Sequence, residues 1–202
     1  MKRRYPFTLT VLIDKDEKKK VQFPTAFQWW TRDRCLRRMR LKTSVVKLKT
    51  ADYALRGYED IVLVERKGTW PEINHNLLST DRRRFVNVMD RMATETLHPT
   101  FLIEMARSDA FRAVPGYLLE PRCTLDYFFR EAIRRRIHVL WWPPPGAASP
   151  YQGGEMIVRW MWQCVYSHLY MEPYHDPQQR GNPRHRTRPR QPRRLVPALD
   201  SR

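Results

Sequence analysis

Apolar positions alternate at the start of the chain. Leu9, Val11 and Ile13 fall on one side of residues 8–13, and Thr8, Thr10 and Leu12 on the other. This β-branched and aliphatic run predicts an inner strand that ends at Asp14. Pro24 then opens a segment in which Phe27, Trp30, Leu36 and Met39 recur at near-helical spacing, with Arg32, Arg34, Arg37, Arg38 and Arg40 on the remaining faces. That spacing predicts a basic amphipathic helix. Residues 45–55 predict a strand, because Val46 and Leu48 alternate with Lys47 and Lys49. A turn at residues 57–60 precedes the apolar run 61–64, which leads directly into Glu65-Arg66-Lys67. The two runs predict an antiparallel hairpin.

Further along, Pro71 suits the first turn of a helix carrying Ile73, Leu77, Phe85, Val88 and Met92, with a break near Ser79-Thr80-Asp81. Residues 101–103 predict a strand ending at Glu104. Residues 125–136 predict a helix with a basic end. Residues 137–142 predict another strand, closed by Pro143-Pro144-Pro145-Gly146, and residues 154–170 a last helix. The order β-α-β-β-α-β-α-β-α predicts an α/β fold, a mixed central sheet flanked by helices. From residue 173 to 202, Pro, Arg and Gln dominate and apolar residues are scarce. Such a stretch buries too little surface to order itself, so a disordered basic tail is expected after a domain at 1–172.

Charge changes the picture. The chain of 202 residues has a formal net charge of +17, with 42% hydrophobic residues. It has enough apolar material for a core and an excess of cations that favours a polyanionic partner. The clusters Arg82-Arg83-Arg84 and Arg134-Arg135-Arg136 read equally well as phosphate contacts or as solvated helix faces. The tail around 180–194 is read as a nucleic-acid contact, a salt-sensitive and sequence-independent one. The three cysteines, Cys35, Cys123 and Cys164, are far apart and have no zinc or disulfide spacing. They predict reduced thiols in an intracellular compartment, cytoplasmic or nuclear. The basic N-terminus and its short apolar run lack the features of a signal peptide. The richest apolar window, 156–171, is broken by Arg159, Gln163 and His168 and reads as a buried helix, so no membrane partner is expected.

Candidate chemistry gathers at the predicted hairpin. Glu65 and Lys67 are two apart in a strand and share a face, and the hairpin brings Asp52 beside them. Two carboxylates supply hard oxygen ligands for Mg²⁺ or Mn²⁺. A metal so held acidifies water and stabilises charge on a phosphate. Lys67 is suited to orient that water or to neutralise developing charge. Asp14 and Glu17, at the end of the first strand, are further candidates for ligands or water contacts. A surface salt-bridge cluster is the competing reading of so short a pattern. Delivery of the charges at the end of an apolar strand favours the catalytic one. Trp70 is the stacking candidate nearest this site, although most of the seven tryptophans are expected in the core. His75 reads as an ordinary histidine before a proton donor.

These residues resemble a family. Ala51-Asp52 followed by Val64-Glu65-Arg66-Lys67 is similar to the GD…ERKxxxD motif of the XPF-type structure-specific endonucleases. Ile13-Asp14-Lys15-Asp16-Glu17 is similar to their first-strand VDxRE, and the arginine-rich run 81–85 and Leu102-Ile103-Glu104 extend the likeness over roughly residues 9–170. The resemblance implies a restriction-endonuclease-like fold and metal-dependent cleavage of branched or flapped DNA. It implies metal binding by Asp52 and Glu65, with Asp14 as a further ligand, and catalysis by Lys67. Glu17 supports the site, and Arg66 acts at the phosphate or structurally. Three positions depart from the motif: Ala51 replaces glycine, Asp16 replaces arginine, and the final aspartate falls at Pro71, one residue before Glu72. No helix-hairpin-helix segment is found in these residues, which leaves a homodimer or a partner protein as the expected complement. The alternative to an active nuclease is a non-catalytic DNA-binding or scaffolding protein with a nuclease-like fold. A third alternative, an RNA-binding protein, rests on charge and aromatics alone.

Overall fold

The computed structural model describes residues 5–116, 120–142 and 151–171. The tail expected at 173–202 and the proline run at 143–146 lie outside the described residues. Seven strands form one mixed sheet: β1 (Thr8–Asp14), β2 (Ala26–Trp30), β3 (Leu36–Val46), β4 (Tyr53–Leu55), β5 (Val62–Lys67), β6 (His98–Glu104) and β7 (His138–Trp142). Their spatial order is β2-β3-β1-β4-β5-β6-β7. β1 runs parallel to β3 and antiparallel to β4. The β4–β5 hairpin is antiparallel, and β5, β6 and β7 are parallel. Helices cover both faces, as the sequence pattern predicts. α4 (Gln152–Tyr170) packs Ile157, Val158, Met161 and Trp162 against one face. α1 (Trp70–Leu78), α2 (Arg82–Glu95) and α3 (Pro121–Arg134) pack Ile73, Phe85, Met89 and Phe128 against the other.

Two expectations are corrected. The segment after Pro24 is a pair of strands, β2 and β3, with no helix between them. Its arginines mask a period of two: Phe27, Trp29, Met39 and Leu41 are buried, while Gln28, Trp30, Arg38, Arg40 and Lys42 are exposed. The strands are joined by a tight turn in which Arg34 adopts φ 55° and donates its N–H to Thr31 O at 3.0 Å. Nor is 45–55 one strand. β3 ends at Val46, residues 47–52 form a loop, and β4 spans three residues only. The loop turns because its polar groups find partners off the sheet. Leu48 N–H donates to Asp14 Oδ1 at 3.3 Å, and Thr50 Oγ1 donates to Glu95 Oε2 on α2 at 2.9 Å.

The start of α4 is set by its glycines. A Cβ on Gly154 would lie 2.1 Å from the backbone oxygen of Gln22. That backbone cannot yield without moving the segment after β1, so Gly154→Ala is expected to cost about 3 kcal/mol. Urea unfolding of the variant checks this.

Candidate active site

Strand β5 carries its charged end past the apolar core. Val62, Leu63 and Val64 are buried between the two helical layers, and Glu65, Arg66 and Lys67 follow. Alternation sends Glu65 and Lys67 to the face shared by α1 and α2, with Leu63, and sends Arg66 to the α4 face, with Val64.

On the first face, Lys67 Nζ donates to Glu65 Oε1 at 2.8 Å and to Glu72 Oε1 at 3.3 Å, and lies 5.4 Å from the centre of the Phe85 ring. Glu72 is held in turn. It accepts from Gly68 N–H at 3.1 Å, and its own N–H donates to the N-cap Thr69 Oγ1 at 3.2 Å. This is a variant of the Thr-x-x-Glu capping pattern, with the glutamate reaching back toward Lys67. Asp52 lies just before β4. Its Oδ2 accepts from Arg66 N–H at 2.7 Å, which locks the carboxylate beside β5. The backbone holds it from both sides, with Asp14 N–H donating to Asp52 O and Asp52 N–H to Val64 O. Ala51 precedes it at φ 68°, in the left-handed region. This is the position of the motif glycine, and an L-residue there costs about 1–2 kcal/mol.

The electrostatics of the trio are asymmetric. Burial, and then the neighbouring Glu65 carboxylate, push Asp52 up to about 8, and the Arg66 N–H offsets only part of this. Burial opposes the charge on Lys67, yet Glu65 and Glu72 hold its ammonium above the ordinary lysine range. The two carboxylates thus favour the charged form of Lys67. Among the described residues Asp52 Oδ1 and Glu65 Oε2 have no hydrogen-bond donor, so two hard oxygens of a mutually repelling pair remain free. That donor set fits a divalent cation of the Mg²⁺ class, which takes one or two carboxylates and completes its shell with water and phosphate.

Asp14, expected as a third ligand, touches Asp52 through its backbone N–H, which donates to Asp52 O at 2.8 Å. The Asp14 carboxylate accepts from Leu48 N–H and from Lys47 Nζ at 3.3 Å. No three His, Cys, Asp or Glu side chains form a metal cage among the described residues. Arg66 and Glu17 are together, Arg66 on the opposite face, and the Glu17 carboxylate also bears on Asp52. Arg66 Nε donates to Glu104 Oε2 at 2.5 Å, and its guanidinium lies 3.6 Å from Glu17 Oε1. Burial opposes the Arg66 charge, and Glu104 more than restores it. In the sequence Glu104 stands out as a strand end and as part of the family likeness, with no role attached. The structure makes it the buried anchor of Arg66, 3.4 Å from where a Gly153 Cβ would sit. Trp70 is buried and cannot stack on DNA, and its place as the exposed tryptophan is taken by Trp30. His75 is exposed and pairs with Asp81 at 3.0 Å. Arg134 and Arg135 are tied to Glu131, and Arg135 also to Asp90.

Asp52→Asn is expected to stabilise the metal-free protein. A carboxyl whose folded pKa is raised holds its proton in the native state while the unfolded chain releases it. Wild-type stability therefore falls as pH rises from the ordinary aspartate range toward about 8. The advantage of asparagine grows through that window and levels off above it, reaching about 1–3 kcal/mol. Urea melts in EDTA across the window check both the sign and the plateau.

The described residues thus form a mixed seven-stranded sheet covered on both faces by helices, with charge gathered at the end of the β4–β5 hairpin. Among solved structures, XPF from Aeropyrum pernix is similar at a TM-score of 0.51 and 13% identity, covering 84% of this chain and 71% of that one. The same protein in complex with DNA is similar at a TM-score of 0.52 and 15% identity, covering 84% and 69%. No protein-family model and no curated protein matches the sequence. At such identities the likeness establishes the fold alone: this chain has the fold of these XPF structures. No helix among the described residues is long and apolar enough to cross a membrane.

Proposed function

We propose that the chain is a metal-dependent DNA endonuclease whose chemistry is carried by Asp52, Glu65 and Lys67. The observation that carries this reading is a buried lysine ion-paired with two carboxylates at the end of an apolar strand. Asp52 and Glu65 are the residues that would hold Mg²⁺ or Mn²⁺, which when bound supplies a Lewis acid and an acidified water. Lys67 presents a fixed positive charge to a phosphate whose negative charge grows during hydrolysis. Glu72 and Phe85 hold the ammonium in place, so no reorganisation is needed as that charge develops. Arg66, Glu104 and Glu17 fix the strand from behind.

Branched or flapped DNA as the substrate, and a second copy or partner protein as the complement, are part of this proposal. They are supported by the motif likeness and by the fold shared with XPF. The competing reading is a non-catalytic DNA-binding scaffold. It is favoured by one observation, that no three His, Cys, Asp or Glu side chains form a metal cage among the described residues. The test is a panel of flap, fork, junction, nicked and linear DNA with Mg²⁺, Mn²⁺ or EDTA. Metal-dependent cutting concentrated on the branched members is expected. Tight binding with no cutting of any member favours the scaffold.

A further inference from the structure

Among the described residues, the part of the sheet farthest from β7 is open on one face. α4 covers one side of β2 and β3 through Phe27, Trp29, Met39 and Leu41. Among the described residues no helix packs on the other side, where Gln28 and Trp30 of β2 and Arg38, Arg40 and Lys42 of β3 are exposed. Trp30 is 63% exposed, unusual for the largest apolar side chain. The register places Arg38 opposite Gln28, and Arg40 between Ala26 and Thr8. Arg38 and Arg40 line a cavity of about 450 Å³ with Phe7 and Thr8. None of Arg38, Arg40 and Lys42 has a carboxylate partner among the described residues, and the only acidic residue between 26 and 46 is Asp33, in the hairpin turn.

We infer that this open face of β2 and β3 is a binding track for single-stranded DNA, with Arg38, Arg40 and Lys42 contacting phosphates and Trp30 stacking on an unpaired base. Four features carry it. Cations at every second residue of a strand stand about 7 Å apart in a line, the order of one nucleotide step. Their charge is uncompensated, so phosphate contact releases counterions with no internal ion pair to break. An exposed indole beside a cationic row is the combination that holds unpaired bases without reading their sequence. Lastly, the platform is rigid. Trp29 packs edge-on against Trp162 at 5.1 Å between centroids, and Arg159 donates to Gln28 O at 2.8 Å from α4. The choice of DNA as the polyanion rests on the proposed nuclease function; the existence of the track does not.

The track also has a direction. β3 is parallel to β1, and Val46 pairs with Asp14 at the end of the sheet where β1 meets the Asp52 loop. Ser44, Lys42, Arg40 and Arg38 recede from that end on the face that carries Glu65 and Lys67. The nearest cation is about 13 Å back along β3 and the farthest about 26 Å. A single-stranded arm leaving the catalytic end therefore finds a ladder of cations beneath it.

The test is binding of a fluorescent single-stranded oligonucleotide in EDTA, which removes metal-dependent cutting from the readout. The variants are Arg38→Thr/Arg40→Thr/Lys42→Thr, which keeps strand-forming residues, and Trp30→Ala. The triple variant is expected to lose at least about tenfold in affinity at low salt, and its log–log salt slope to become shallower by about 2, from three lost contacts on a single strand. Trp30→Ala is expected to weaken single-strand binding about 5- to 100-fold and to leave blunt duplex binding within about twofold. Circular dichroism melts matching the wild type establish that the variants fold. Unchanged affinity and salt slope in the triple variant overturn the track. Equal losses for duplex and single strand, with no effect of Trp30→Ala, overturn its preference for unpaired DNA. A wild type that binds through this face but cuts nothing leaves the track standing and removes the proposed nuclease function.

Discussion

Lys67→Met is expected to lower the rate of metal-dependent DNA cleavage about 10²–10³-fold at saturating DNA, with DNA affinity changed by less than about threefold. The split follows from where the ammonium sits. Its side chain is 10% exposed, too enclosed to serve as a general contact to the DNA backbone. Its partners Glu65 and Glu72 favour its charged form. What methionine removes is the charge that the proposed function aims at the developing negative charge on the phosphate. Methionine retains most of the volume and the contact with Phe85, which separates loss of charge from loss of packing. Lys67→Arg is not expected to rescue, because a planar guanidinium does not fit a socket made by two carboxylates and a ring. The check is a single-turnover rate beside an equilibrium binding curve. Loss of affinity in step with loss of rate contradicts the assignment.

The neighbouring arginine is expected to fail differently. Arg66→Met is expected to cost about 3–5 kcal/mol of stability, whatever it does to activity. Arg66 is the cation for Glu104, whose side chain is 4% exposed, and lies near Glu17, at 12%. Removing it leaves buried carboxylates facing one another beneath the start of α4. The effect is expected to be strongly coupled: adding Glu104→Gln to Arg66→Met recovers part of the loss, and a double-mutant cycle measures how much. Additive losses show that the pair contributes no mutual stabilisation. Two adjacent residues of one triplet thus point to opposite faces, and in the proposed function Lys67 serves the chemistry and Arg66 the scaffold.

Much of this is legible in the sequence. The hairpin, the break between α1 and α2, and the charged end of β5 follow from periodicity and turn residues. The shared face of Glu65 and Lys67 follows from their spacing. The segment after Pro24 is not legible, because its apparent period of three is spurious. Trp30 and Leu36 fit a helical stripe yet are exposed, and the true alternation is hidden by arginines on both faces of β3. The same ambiguity conceals the open sheet face. Asp14 illustrates a second limit. Its place at a strand end follows from the pattern, but the loop at 47–52 turns its carboxylate to Leu48 and Lys47, and no local pattern announces that. Ala51 is a third case. In the sequence it is a small residue standing for a small one, and only the left-handed backbone there shows what the motif glycine is for.

Asp52, Glu65 and Lys67 are proposed to act as one metal-dependent site that cuts DNA. Cleavage of a single end-labelled flap substrate with Mn²⁺, by wild type and Asp52→Asn prepared side by side, decides it. Asparagine keeps the acceptor for Arg66 N–H and removes a metal-binding charge, so the fold is retained. The wild type is expected to cut, and EDTA to abolish that cutting. The variant is expected to lose about 10²-fold or more in rate while melting no lower than the wild type. Equal cutting by both proteins would remove Asp52 from the chemistry, and the site with it.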